Sequence, residues 1–194
     1  FPDNQIFECL LFQKIFKYRI VLSFHGNELE MLYKNRNWSL KNVLFYRLIN
    51  ISDFITGCSN FILERLRGIF PEIEEQKLIP ILNGVKSELL IKPLNLERKE
   101  YFFSAARFIP QKGIDLLFEI LIRLGSERLY LAGGNKEDVG LLSLKLPKNI
   151  KIVGKKTFNS IVDYLSSAKI TLITSKREAY GIFVAETISS GSPL

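Results

Sequence analysis

Short apolar runs alternate with segments of helical spacing along almost the whole chain. The runs are typical of buried strands, and apolar residues at every third or fourth position are typical of helices packed against a sheet. In the first half the pattern predicts strands at 19–24, 54–58 and 77–82 and helices at 40–49 and 60–67. In the second half it predicts strands at 101–105, 128–132, 150–153 and 170–173 and helices at 112–124, 136–144, 158–167 and from Gly181 onwards. This alternation predicts an α/β fold with parallel sheets and right-handed crossovers.

One stretch breaks the pattern. Residues 86–99 lose their periodicity, contain Pro93 and mix both signs of charge, which makes them the best linker candidate. A chain of 194 residues is long enough for one large domain or two small ones. The linker favours two domains, over residues 1–94 and 95–194.

Composition and charge narrow the class of partner. A hydrophobic content of 47% excludes a disordered chain, and a net charge of +7 favours anionic partners. Those partners include a nucleotide diphosphate, a lipid headgroup surface and nucleic acid. We expect no nucleic acid partner, because the cations are scattered and do not interleave with aromatic residues.

Cysteine content and hydropathy bear on location. Cys9 and Cys58 lack metal-type spacing, which predicts two small buried thiols in a reducing compartment. No run of about 18 apolar residues is present, so we expect no membrane span. The chain opens on Phe1 without a signal peptide, and it therefore has the character of a piece of a longer, cytoplasmic protein.

The last twenty residues carry the first candidate site. The apolar run 170–173 is followed by a polar loop with Glu178, by Gly181, and by a segment of helical spacing that contains Glu186. A helix that starts at a glycine presents free N–H groups and the positive end of its dipole, which suits a diphosphate. The two carboxylates are too far apart to act as a pair, so we expect them to contact different parts of one elongated ligand.

A second block supplies cations. The predicted strand 101–105 is followed by Arg107, by Pro110, which interrupts regular structure, and by Lys112. Open α/β sheets bind ligands at the carboxyl ends of their strands. A guanidinium binds phosphate oxygens bidentately and an ammonium adds a point charge, so the block predicts phosphate binding.

Both blocks resemble motifs of the group 1 glycosyltransferases, also called family 4. Residues 175–186 are similar to the family's S-x-x-E-G-F-G-x-x-x-x-E, with Ala179 and Tyr180 as mild replacements, and residues 106–113 to its G-R-x-x-x-x-K-G, with Ala106 for the usual Gly. Weaker similarities follow in the family's order, at 22–26, 55–60, 79–85, 129–134 and 153–154.

The resemblance implies a fold and an activity. It implies a GT-B architecture of two Rossmann-like domains with parallel sheets, both incomplete in this chain. It also implies a retaining transferase that moves a sugar from a nucleotide-diphosphate sugar to the hydroxyl of a saccharide or lipid-linked acceptor. Such reactions build polysaccharides, lipopolysaccharides and glycolipids. No cofactor or metal is expected, and no D-x-D motif is present.

The resemblance also assigns roles to residues. Glu178, His25, Arg107 and Lys112 would be catalytic. The donor would be bound by Arg107, Lys112, Gly181, Ile182, Phe183 and Glu186, with Glu178 on the sugar hydroxyls and Glu186 on the ribose hydroxyls. Secondary candidates are Gly133, Ser175 and Tyr180.

Alternatives stay open at the level of sequence. The chain could be a nucleotide-sugar-binding module or an inactive fragment without turnover. It could also be a GT-B nucleotide-sugar epimerase, although an epimerase should carry further acidic and histidine residues. Finally, the apolar and basic cluster at Phe12 and 14–19 suits peripheral contact with an anionic membrane, at the inner face of the cell membrane. The alternative for that cluster is a buried helix with its basic edge in water.

Overall fold

The computed structural model describes residues 3–26, 29, 40–86 and 97–194. They fall into two compact units, Phe1–Asn83 and Gly84–Leu194. The boundary predicted between residues 94 and 95 lies outside the described residues, as does most of the predicted linker.

The first unit contains a parallel sheet in the order β1-β2-β3. Its strands are β1 (Val21–Phe24), β2 (Phe54–Gly57) and β3 (Leu78–Pro80), and its helices are α1 (Asp3–Phe16), α2 (Leu40–Ile51) and α3 (Asn60–Ile69). Ser59 caps α3, because its hydroxyl accepts from the Ile62 N–H at 3.4 Å. The core of the unit includes the fully buried Ile55 of β2 and Leu66 of α3.

The exposure of α1 corrects one expectation. Leu11, Phe12, Ile15 and Phe16 lie on one side of the helix, and Phe16 is 68% exposed. The prediction of a buried helix with only its basic edge in water is therefore wrong for the described side chains. Cys9 in the same helix is exposed as well, whereas Cys58 is buried as expected.

The second unit contains a parallel sheet in the order β6-β5-β4-β7. Its strands are β4 (Lys99–Ala105), β5 (Leu129–Ala132), β6 (Ile150–Gly154) and β7 (Ala168–Thr171). Its helices are α4 (Ile114–Leu124), α5 (Lys136–Leu141), α6 (Phe158–Ser167) and α7 (Ile182–Ser189). The alternation of strand and helix in the sequence predicted this arrangement because each crossover returns the chain to a parallel neighbour.

Helices cover both faces of this second sheet. Phe102 and Leu131 face one core with Leu117 of α4 and Val139 of α5. The neighbouring positions face the other core, where Phe103 stacks on Tyr164 of α6 with ring centroids 5.0 Å apart. Successive residues of a strand point to opposite faces, so a sheet buried on both sides needs the continuous apolar runs seen here.

Two predicted boundaries are wrong at the place that matters most. The predicted helix at 112–124 begins two residues early, because Pro110–Lys112 form a 3-10 turn and Gly113 is left-handed (φ 64°) before α4. The predicted strand at 170–173 is displaced, since β7 begins at Ala168 directly after α6. In the described part of the chain, no helix is long and apolar enough to cross a bilayer.

Candidate functional site

The second sheet has a topological switch point between β4 and β7. From β4 the chain moves outward through β5 and β6, and it then returns to the other side of β4 as β7. The helices that follow β4 and β7, namely α4 and α7, pack on opposite faces of the sheet. At such a point, open α/β sheets place their ligands in the crevice outside the carboxyl ends of the strands.

Glycine brings the two loops into contact. A Cβ on Gly113 would overlap the carbonyl oxygen of Thr174, so no larger residue fits there without movement of the backbone. The Thr174 hydroxyl donates to the carbonyl of Lys112 at 3.2 Å. The Lys176 N–H donates to the carbonyl of Gln111 at 3.0 Å. A close backbone approach and two hydrogen bonds to backbone carbonyls thus fix the loop after β4 against the loop after β7.

Two predicted site residues form an ion pair across the crevice. The Lys112 Nζ lies 2.5 Å from Glu178 Oε1, and these side chains are 21% and 33% exposed. They are separated by 66 positions in the sequence, and the parallel topology brings them together. A cation and a carboxylate beside a helix N-terminus can bind an anionic group and a hydroxyl donor of the same ligand.

A second ion pair across the loops was not predicted from the sequence. The Lys176 Nζ donates to Asp115 Oδ2 at 2.6 Å, and both side chains are about half exposed. This hydrogen bond lowers the pKa of the Asp115 carboxyl by more than desolvation raises it. The buried Oδ1 has no partner of good geometry in the described part of the chain, although the backbone N–H groups of Leu116 and Asp115 lower the pKa further. An acidic residue in the first turn of a predicted helix was the one available signal.

Helix α7 begins at the same crevice. Gly181 is left-handed at its N-terminus (φ 78°) and provides no side-chain cap. The N–H groups of the first turn, including those of Ile182 and Phe183, have no acceptor within the helix. The Ile182 side chain is exposed, whereas the Phe183 ring packs against Phe103 with centroids 6.4 Å apart. Only the backbone of Phe183 is therefore suited to a ligand.

Glu186 lies one turn further along α7 and is partly buried. Burial raises the pKa of its carboxyl, and the Lys86 ammonium partly offsets that effect. Lys86 also lies over the ring of Phe158, with Nζ 4.2 Å from the centroid. A partly desolvated carboxylate gains most from hydroxyl groups that donate to it, which is the role predicted for Glu186.

The other second-unit candidates lie in the adjoining loops. Arg107 is exposed in the loop after β4, and Gly133 (φ 112°) packs so closely that a Cβ would overlap the carbonyl of Ala106. The loop after β5 therefore abuts the loop that carries Arg107. Ser175 and Tyr180 are partly buried in the loop after β7.

His25 is the remaining predicted site residue, and it belongs to the first unit. It follows β1 and is exposed, and its Nε2 lies 3.3 Å from the Ser23 hydroxyl. It is not among the residues that the second unit brings together. Within the described ranges, no group of three or more His, Cys, Asp or Glu residues is arranged to hold a metal ion.

Comparison with known proteins gives a matching family and a related protein. Residues 86–194, more than half of the chain, match the family model described as "Glycosyl transferases group 1". The uncharacterized glycosyltransferase MJ1178 of Methanocaldococcus jannaschii is 24% identical over 179 residues, which cover 90% of this chain and 47% of that protein.

Solved structures share the fold. The sucrose-phosphate synthase of Thermosynechococcus elongatus superposes with a TM-score of 0.78 at 19% identity, covering 97% of this chain and 52% of that one. A glycosyltransferase from Rickettsia africae gives a TM-score of 0.63 at 16% identity, covering 97% and 60%. The chain thus spans about half the length of the proteins it matches.

Proposed function

The chain belongs to the group 1 glycosyltransferases, and we propose that it transfers a sugar from a nucleotide-diphosphate sugar to a hydroxyl acceptor with retention at the anomeric carbon. Its fold is α/β of the GT-B type, with parallel sheets. The observation that supports the proposal best is the meeting of Lys112, Glu178 and the N-terminus of α7 at the switch point between β4 and β7.

The proposed chemistry is electrostatic. As the glycosidic bond breaks, the leaving diphosphate gains negative charge, and donors that are already in place stabilise it without reorganisation. Lys112, Arg107 and the N–H groups at Gly181, Ile182 and Phe183 would supply that stabilisation. No step in this scheme needs a metal or a cofactor.

Carboxylates would orient the rest of the donor. Glu178 would accept hydrogen bonds from the sugar hydroxyls and Glu186 from the ribose hydroxyls. The catalytic role of His25 stays the prediction made from the family resemblance. The proposed acceptor is a saccharide or a lipid-linked saccharide in polysaccharide, lipopolysaccharide or glycolipid synthesis.

A thermal-shift panel of nucleotide diphosphates and nucleotide sugars tests the proposal. A ligand at about 100 times its Kd stabilises a protein by about 2.7 kcal/mol, so a true ligand should raise the Tm by several degrees. The matching nucleosides at equal concentration are the control, since they lack the diphosphate. Nucleotide sugars that raise the Tm no more than nucleosides do would reject the proposal.

Product analysis then separates the alternatives. A transferase releases the nucleotide diphosphate and forms a new glycoside, and an epimerase converts one nucleotide sugar into another. A binding module without turnover gives the thermal shift and leaves the nucleotide sugar intact. The panel and the product analysis together therefore distinguish a transferase, an epimerase and a binding module.

We also propose that α1 contacts an anionic membrane surface. Leu11, Phe12, Ile15 and Phe16 form an exposed apolar side of α1, and the neighbouring Lys14, Lys17 and Arg19 are exposed cations. Apolar side chains beside basic residues suit a peripheral contact, and each cation near an anionic surface contributes about 1 kcal/mol. The proposed location is the inner face of the cell membrane.

Co-sedimentation with vesicles should detect this contact. We expect binding to vesicles of phosphatidylglycerol and phosphatidylcholine, and much weaker binding to phosphatidylcholine alone. The double substitution Ile15→Ser and Phe16→Ser should reduce binding at least fivefold, which needs only about 1 kcal/mol of the roughly 3–6 kcal/mol that full burial of two large side chains contributes. Ile122→Ser is the matched control, because Ile122 is equally exposed on α4. Equal binding to both vesicle types would contradict the proposal.

A further inference from the structure

We propose that Glu178 is a built-in counter-ion that competes with the diphosphate for Lys112, so that the site favours an intact nucleotide sugar over the free nucleotide diphosphate. The inference rests on the proposed function and extends it to discrimination between donor and product. It follows from the closed ion pair at the switch point and from the way the two loops are fixed around it.

Glu178 pairs directly with the Lys112 ammonium. The Lys112 Nζ and Glu178 Oε1 are 2.5 Å apart, and the pair is more shielded from water than the neighbouring pair of Lys176 and Asp115. Partial shielding strengthens the attraction between Lys112 and Glu178. A diphosphate that approaches Lys112 therefore meets a cation whose charge is offset by a carboxylate, and it is repelled by that carboxylate.

The pair can open without separating the loops. Two hydrogen bonds, from the Thr174 hydroxyl to Lys112 O and from the Lys176 N–H to Gln111 O, do not involve the Lys112 ammonium. The ion pair of Lys176 with Asp115 is a further link, from the loop after β7 to the first turn of α4. Opening of the Lys112–Glu178 pair is therefore a local rearrangement of two side chains.

A nucleotide sugar and a free nucleotide diphosphate differ in whether they can donate hydrogen bonds to Glu178. A nucleotide sugar carries hydroxyl groups that can donate hydrogen bonds to the displaced carboxylate, and these compensate for its lost partner. A free nucleotide diphosphate carries no such hydroxyls at that position, so Glu178 either stays on Lys112 or is left unpaired. After the sugar has been transferred, Glu178 therefore lowers the affinity of the site for the nucleotide diphosphate.

Glu178→Gln is the decisive variant, because glutamine keeps the shape and removes the charge. Asp115→Asn is the matched control, since it also removes one carboxylate from an ion pair with a neighbouring lysine, in the first turn of α4, while leaving Lys112 paired. Inorganic pyrophosphate is the first probe, titrated calorimetrically against both variants and the unchanged chain. Pairs of UDP with UDP-glucose and ADP with ADP-glucose are the second. Thermal denaturation verifies that both variants are folded.

We expect Glu178→Gln to raise the affinity for pyrophosphate about three- to tenfold, because it removes a competing negative charge beside Lys112 at a partly shielded position. Asp115→Asn should change it less than twofold. In Glu178→Gln the preference for a nucleotide sugar over its nucleotide diphosphate should shrink by a similar factor.

The inference would be overturned if Glu178→Gln bound pyrophosphate no more tightly than the unchanged chain, or did not bind it detectably. It would also be overturned if Asp115→Asn gained as much affinity as Glu178→Gln, because the gain would then reflect net charge alone. The proposed function fails separately. If no nucleotide sugar binds the unchanged chain, the sugar-transfer proposal is rejected, while the pyrophosphate titration still reports whether Glu178 competes for Lys112.

Discussion

Gly113→Ala should lower the free energy of unfolding of the second unit by about 3–5 kcal/mol. Gly113 is left-handed (φ 64°), a conformation that costs an alanine about 1–2 kcal/mol. The new Cβ would also overlap the Thr174 carbonyl oxygen, and a carbonyl in the backbone cannot rotate away as a flexible side chain can. The two loops must therefore separate or α4 must shift. Chemical denaturation of the purified chain measures the loss.

Gly181→Ala separates the two causes. Gly181 is also left-handed at a helix N-terminus (φ 78°), but its Cβ would meet only the Val184 side chain, at an ordinary contact distance of 3.4 Å. This control should therefore lose only the conformational part, about 1–2 kcal/mol. Equal losses in the two variants would mean that the close approach of the loops contributes nothing to stability. A loss confined to Gly113→Ala would show that the contact with Thr174 dominates.

The elements of the second unit were largely predictable, because each follows from a local pattern. The apolar run at Phe102 and Phe103, with its neighbouring turn signals, predicts a strand buried on both faces. Ile114, Leu117, Phe118 and Leu121 recur at helical spacing, and all four are buried against the sheet. The exact start of α4 was not predictable, since the 3-10 turn depends on the packing of Gly113 against Thr174 rather than on propensity.

The position of the candidate residues was predictable, but their side-chain pairings were not. A resemblance to family motifs selected Lys112 and Glu178, and the parallel topology predicts that both lie at one edge of the sheet. That the two side chains form an ion pair depends on rotamers and loop shape, which no local pattern encodes. The ion pair of Lys176 with Asp115 was missed for the same reason. Each of these residues, taken alone in the sequence, is typical of a charge on a solvated surface.

In the first unit, the apolar pattern of α1 did not determine whether its side chains are buried. The apolar residues of α1 predicted either burial or a membrane surface, and helical spacing alone does not distinguish these. Phe16 and Ile15 are exposed, which excludes burial within the described part of the chain. An exposed apolar side is informative about partners because burial would otherwise stabilise it by about 1.5–3 kcal/mol for each large side chain.

Lys112→Met should have the largest effect on function, because it removes the cation and leaves Glu178 without its partner beside the diphosphate. We expect kcat for sugar transfer to fall about 10²- to 10³-fold, the range for loss of one donor that stabilises developing negative charge. Binding of the nucleotide diphosphate should weaken at least tenfold, because the unpaired carboxylate repels it. Methionine keeps most of the length of the side chain, so the Tm should change little.

Lys176→Met is the matched control for this effect. Lys176 forms an ion pair of similar length with Asp115 at the start of α4, and the substitution removes the same charge from the same edge of the sheet. We expect kcat to change less than threefold, since pairs as exposed as this one contribute about 0–1 kcal/mol. Equal losses in the two variants would mean that the general positive potential of this edge, rather than a contact by Lys112, stabilises the leaving group. A loss specific to Lys112→Met would mean that the ammonium acts directly on the diphosphate, because potential at this range is shared by both lysines whereas contact is not.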